Sequence, residues 1–230
     1  DALAQYWYKK AALQNQEHAR DNLERMLLVN NNNLIVGEKI GSGTFSDVFK
    51  GKHEGRDVAI KRLKNIGQMN KAQLDEFKHE LVLMAALEHP SLVEVYGHTA
   101  LPLQLIMEFC QKGSLDTFLN SITRADLPWD IRHMMATQLA EGLAYLHDHG
   151  VVHRDIKSLN VLVDSRMNVK WADFGLSKIK DHTQTILGQT DTNNMPAGSV
   201  LWMAPEQVKG KVECSKKADV YSFAVVMWEL

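Results

Sequence analysis

Between His153 and Asn160 the chain reads His-Arg-Asp-Ile-Lys-Ser-Leu-Asn, and Asp173, Phe174 and Gly175 follow at a short distance. This stretch supplies a candidate proton acceptor in Asp155, a cation suited to phosphate in Lys157, and two oxygen-bearing metal ligands in Asn160 and Asp173. A base, a cation and a pair of hard oxygens on one run of backbone are the parts that phosphoryl transfer needs. Upstream, Gly41-Ser42-Gly43-Thr44-Phe45-Ser46-Asp47-Val48 could bring backbone N–H groups close to phosphate oxygens, because residues without side-chain bulk permit the approach. Taken alone, such a run is also an ordinary hairpin turn. A dinucleotide-binding loop would enter a helix directly; here it enters Val48-Phe49-Lys50 and then a second β-type segment, Val58-Ala59-Ile60-Lys61. Lys61 in isolation could be a lysine snorkelling from a strand edge.

The bulk properties set broad limits. A chain of 230 residues is long enough to bury a substantial core in one domain or two. A formal charge of -2 gives no reason to expect nucleic acid or a membrane surface as partner, and 45% hydrophobic content with mixed charge fits a globular protein. Cys110 and Cys214 are too few and too scattered for a metal cluster or a disulfide framework, which suggests free thiols in a reducing, cytoplasmic setting. No apolar run is long enough for a membrane span, and neither a signal peptide nor an internal repeat is visible. Both ends read as cut from something longer.

The elements that must position these residues follow from patterning. Residues 1–29 lack Gly and Pro and favour helix, with Leu3, Trp7, Leu13, Leu23 and Leu27 as parts of an apolar stripe that Lys10, Glu17 and Arg20 interrupt. A coiled coil and a solvated linker helix leaning on the domain are both open readings. Asn30 to Asn33 punctuates the chain. Short β segments are expected over 34–40, 47–52 and 57–63, a helix over 70–87 with Leu74, Phe77, Leu81 and Met84 on one face, and two further strands over 92–96 and 103–109. After Gly113 the pattern is mainly helical, and Ile131, Met134, Met135, Leu139, Leu143 and Leu146 mark a long helix that stops at Gly150.

In order and combination these motifs, together with Ala204-Pro205-Glu206, resemble those of the eukaryotic protein kinases. Trp202-Met203-Ala204-Pro205-Glu206 and Asp219-Val220-Tyr221-Ser222-Phe223 look most like the tyrosine-kinase-like group of serine/threonine kinases. The resemblance covers about 34–230. It implies an α+β, bilobal protein kinase fold: an extension over 1–33, an N-lobe over 34–110 with a five-stranded antiparallel sheet and one helix, and a mainly helical C-lobe over 111–230. That C-lobe would be incomplete after the helix bearing Asp219.

By the same resemblance, Asp155 is the catalytic base and Lys157 neutralises the transferring phosphoryl group. Lys61 holds the α and β phosphates and pairs with Glu80, while Asn160 and Asp173 hold Mg²⁺. Gly41, Ser42 and Gly43 would contact the phosphates of ATP, Ile40, Val48, Ala59 and Leu162 would lie above and below the adenine ring, Glu108, Phe109 and Cys110 would form the hinge, and Met107 would guard the pocket behind the adenine. Ser46 stands where the family pattern has a third glycine. Each apolar member of this set could equally be ordinary core. His153 would pack against Phe174, and Arg154 would receive a phosphate placed on the activation loop, where Thr183, Thr185, Thr190, Thr192 and Ser199 are the acceptors. Trp171 occupies a position where the family usually has a smaller aliphatic residue.

Lys157 is the mark of serine/threonine kinases, with Ser199 as its hydroxyl partner, and dual specificity stays open. The implied partners are protein substrates bearing Ser or Thr, and an upstream kinase or a second copy acting in trans. The oligomeric state is not specified. The alternatives are a pseudokinase, which would usually have lost one of Lys61, Glu80, Asp155, Asn160 or Asp173, and a small-molecule kinase, disfavoured by the segment from Ser199 to Glu206.

Overall fold

A computed structural model of the protein describes residues 2–14, 16–43, 46–64, 71–174, 200–208 and 215–230. The chain divides into two compact units, one comprising Asp1–Glu88 with Glu94–Phe109, the other His89–Val93 with most of the chain from Cys110 onward.

The first unit carries α1 (Ala2–Leu13), α2 (Glu17–Met26), β1 (Leu34–Ser42), β2 (Ser46–His53), β3 (Arg56–Leu63), α3 (Lys71–Ala86), β4 (Val95–Thr99) and β5 (Gln104–Glu108). The strands form one antiparallel sheet in the order β1-β2-β3-β5-β4. Leu34, Val58, Ile60 and Ile106 make its core, flanked by Val29, Phe49 and Tyr96. β3 is the middle strand and is buried from Val58 to Lys61, whereas β1 is an edge strand, exposed along most of its length.

Two expectations need correction here. The helical stretch at the start is two helices, broken before Glu17, and the break resets the phase of the apolar stripe. Ala12 on α1, Ala19 and Leu23 on α2, and Leu27 just beyond are buried, while Leu3 and Trp7 are 66% and 62% exposed. The segment 92–96 is not one strand: Leu92 bridges Trp171 in the second unit, and β4 begins at Val95.

The second unit is mainly helical. It contains α4 (Leu115–Ser121), α5 (Trp129–Asp148), the hairpin β6 (Val161–Val163) and β7 (Val169–Trp171), a short α6 (Pro205–Val208) and α7 (Lys216–Glu229). α5 is its scaffold, with Met135, Leu139, Leu143 and Leu146 buried along one face. Trp171 has its reason in this packing. It is fully buried, its Nε1 donates to the Leu139 carbonyl at 2.9 Å, and its backbone pairs with Ser91. The indole fits because α5 has Gly142 opposite it: a Cβ there would lie 3.0 Å from Trp171 Cδ1 and 3.0 Å from Ser91. The large residue in the strand and the missing side chain in the helix are complementary.

Candidate active site

The loop that carries His153 to Asn160 lies between α5 and β6. Asp155 is half-buried, and its carboxylate is gripped from both sides: Lys157 Nζ sits 2.8 Å from Oδ1 and Asn160 Nδ2 donates to Oδ2 at 2.9 Å. The same Asn160 amide also donates to the Asp155 backbone carbonyl at 2.6 Å. Charge-assisted contacts of this kind orient a carboxylate. His153 is fully buried, packed edge-on to Trp171 with ring centroids 5.5 Å apart and near Phe174 at 6.5 Å. This is the packing role expected of it.

The hairpin β6–β7 brings the two candidate metal ligands alongside each other. Val161 pairs with Trp171, so the next position outward sets Asn160 against Ala172, and Ala172 N donates to the Asn160 carbonyl at 2.8 Å. Asp173 follows directly, with φ 62, a left-handed conformation that strains a non-glycine residue. An amide oxygen and a carboxylate suit Mg²⁺, which is usually held by one or two protein oxygens and completed by phosphates and water. Among the described residues no cluster of three or more His, Cys, Asp or Glu could form an all-protein metal cage.

The phosphate and adenine residues expected from the sequence lie largely in the first unit. Lys61 is 7% exposed on β3, paired in register with Val48 and Leu105, and Glu80 is half-buried on α3. Gly41 to Gly43 close the β1–β2 hairpin, and Gly43 N donates to the Ser46 carbonyl at 2.8 Å. Ala59 and Met107 are buried and lie opposite each other on β3 and β5; Ile40 is 46% exposed, and Val48 and Glu108 are half-buried. In the second unit Cys110 is buried and Leu162 is half-buried in β6. Thr183, Thr185, Thr190, Thr192 and Ser199 lie outside the described residues.

Two residues in working positions carried no assigned role at the sequence level. Asp219, near the start of α7 and 3% exposed, accepts from His153 N at 2.8 Å and Arg154 N at 2.9 Å, and its Oδ2 lies 2.9 Å from His147 Nε2. It holds the loop where Arg154 takes a φ of 68 and exposes its side chain. Asp47 anchors the glycine hairpin: Ser42 Oγ donates to it at 2.7 Å, and Lys39 and Lys64 lie 2.9 and 3.0 Å away. The bond from Ser42, then those from Lys39 and Lys64, hold its carboxyl well below the usual carboxylate range. Asp219 sits in a quoted motif, but its contacts cross from one loop to a distant helix, and no local pattern encodes that.

The profile of the protein tyrosine and serine/threonine kinase family matches residues 34–230. A probable serine/threonine-protein kinase of Dictyostelium discoideum is 40% identical over 199 residues, 86% of this chain and 21% of that protein. The serine/threonine-protein kinase CTR1 of Arabidopsis thaliana is 39% identical over 202 residues, 86% of this chain and 24% of its own length. The serine/threonine/tyrosine-protein kinase HT1 of the same plant is 36% identical, again over 86% of this chain and over 50% of its own. The chain thus spans half or less of the length of these relatives. With a five-stranded antiparallel sheet and one helix following β3 in one unit, a helical second unit, and a profile match over most of its length, the chain belongs to the protein tyrosine and serine/threonine kinase family.

Proposed function

We propose that the chain is an active catalytic domain that transfers the γ-phosphoryl of Mg-ATP to serine or threonine hydroxyls of proteins. The observation that carries this reading is the Asp155 carboxylate held between Lys157 and Asn160, oriented as a base for an incoming hydroxyl would be. Asp155 accepts or orients the proton of that hydroxyl, and Lys157 offsets charge on the phosphoryl group as it moves. Lys61, oriented by Glu80, steadies the α and β phosphates, and Asn160 and Asp173 provide the oxygens for Mg²⁺, which neutralises phosphate charge when bound. The backbone of Gly41 to Gly43 covers the phosphates. Ile40, Val48, Ala59, Met107 and Glu108, together with Cys110 and Leu162, are the residues that the family resemblance assigns to the adenine. No residue forms a covalent intermediate; rate enhancement comes from positioning and electrostatics.

The lysine at 157 and the names of the Dictyostelium relative and CTR1 support serine/threonine specificity. The name of HT1 also includes tyrosine, which supports dual specificity as a second reading. Arg154, exposed beside the catalytic loop, is the proposed receiver of a phosphate on the activation segment, placed there by an upstream kinase or a second copy in trans.

Intact-mass spectrometry with site mapping, before and after Mg-ATP, tests the reading. The unmutated chain should gain phosphate on Ser or Thr, and Asp155→Asn should gain none while still binding nucleotide. Phosphotyrosine alone would overturn the specificity, and equal gain in Asp155→Asn would overturn the role of Asp155.

A further inference from the structure

The segment before β1 is built into the first unit at a point prepared for it. Gly97 on β4 has no room for a side chain: a Cβ would lie 2.4 Å from the Leu27 carbonyl oxygen and 2.8 Å from Val29 Cγ2. The close approach lets His98 N donate to Leu27 O at 2.8 Å and Val29 N donate to His98 O at 2.7 Å, so that Leu28 forms a parallel bridge on the edge of β4. Ahead of this bridge α1 and α2 bury Ala12, Ala19 and Leu23, and both helices pack on α3.

Polar contacts fix the register of that packing. Glu24 on α2 pairs with Lys78 on α3 at 3.0 Å, Arg20 Nη1 lies 3.0 Å from His79 Nε2, and Lys9 on α1 pairs with Glu88 just past the end of α3. These anchors bracket Glu80 in sequence. At about 100° per residue, Lys78 projects roughly 200° around the helix from Glu80. α2 therefore holds α3 at Lys78, roughly opposite Glu80, and at the adjoining His79, about 100° from it.

We propose that residues 2–29 are a clasp that fixes α3 from behind and thereby sets the position of Glu80, with Glu24, Lys9 and Gly97 as positioning residues. The proposal rests on the reading of Lys61 and Glu80 as the phosphate-orienting pair. A helix held at Lys78 and His79, with the chain tied again at Glu88 just beyond its end, is restrained in rotation, whereas a helix free of these contacts can rotate and carry its glutamate away from the lysine. The clasp adds no group to the chemistry and acts only through α3.

Three variants of the full chain test it: Gly97→Val, which displaces Leu27 and Val29; Glu24→Lys, which sets two cations against each other; and the exchange Glu24→Lys with Lys78→Glu. Hydrogen exchange of the α3 amides is read alongside kcat and KM for ATP. Gly97→Val and Glu24→Lys should speed exchange across α3 and lower kcat about five- to tenfold, and the charge exchange should restore both. Unchanged α3 exchange and unchanged kcat in the first two variants would overturn the clasp, as would failure of the charge exchange to restore what Glu24→Lys lost. If the unmutated chain transfers no phosphate, the kinase reading itself has failed, and α3 exchange alone still judges the clasp.

Discussion

Asp219 does the most with the least. One buried carboxylate accepts two backbone N–H groups of the His153–Asn160 loop and lies against His147 Nε2, so it stabilises the left-handed turn at Arg154 that precedes Asp155. Hydrogen bonds to a charged acceptor are worth ~1.5–3 kcal/mol each, about the size of the strain at one such backbone position, ~1–3 kcal/mol. Asp219→Asn keeps the shape but replaces one acceptor oxygen with a donor facing an N–H. Turnover should then fall about a hundredfold through misplacement of Asp155, with KM for ATP nearly unchanged; steady-state kinetics would show it. A fall in ATP affinity without a loss of turnover would contradict the positioning role. The residues proposed to carry the chemistry, Asp155, Lys157, Asn160 and Asp173, stood out in the sequence because their types and spacing are local. Asp219's contacts were not, since they join residues far apart along the chain.

Among the elements, the junction of α2, β4 and the Leu27–Val29 stub should respond to pH. His98 sits there, 2% exposed, and burial pushes its pKa below the ordinary value of about 6.5, with the Glu24 backbone and carboxylate opposing that shift and Lys78 adding to it. The unfolded chain therefore takes up a proton that the folded chain refuses. The stability this group contributes is full above about pH 6.5 and declines as pH falls below that value. Hydrogen exchange at Val29 and His98 should quicken between about pH 7.5 and 5.5 relative to a His98→Asn chain; parallel profiles in the two chains would refute the assignment. His89 is also pushed down by burial, but it lies in the second unit, so a local readout separates the two. The sequence pattern gave the strands β1 to β3 and the helices α3 and α5 to within a few residues, because alternation and helical spacing persist over their full lengths. It missed the break before Glu17, where a polar Gln-Asn-Gln-Glu run carries no proline or glycine, and it missed β6 and β7, three residues each and too short for any period to register.

At the scale of the whole molecule, two cores do separate work. The second unit depends on Trp171 seated against Gly142, and removing that indole with Trp171→Ala should cost ~3–5 kcal/mol. Amides of α5, β6 and β7 should lose protection while β2, β3 and β5 keep theirs; uniform loss in both units would show that the cores do not unfold independently. The family and the bilobal architecture were readable from motif order alone, whereas Trp171 made sense only once its neighbour on α5 was in view. The sheet of the first unit has two outer strands. β1 carries Lys39 and Glu38 and changes register between Val36 and Gly41, features that discourage a strand from pairing with a stranger. On β4, the Leu28 bridge already occupies the backbone of His98. The stub that holds the clasp is thus also a guard: it takes up hydrogen-bonding groups that would otherwise offer a template for sheet-to-sheet association between molecules.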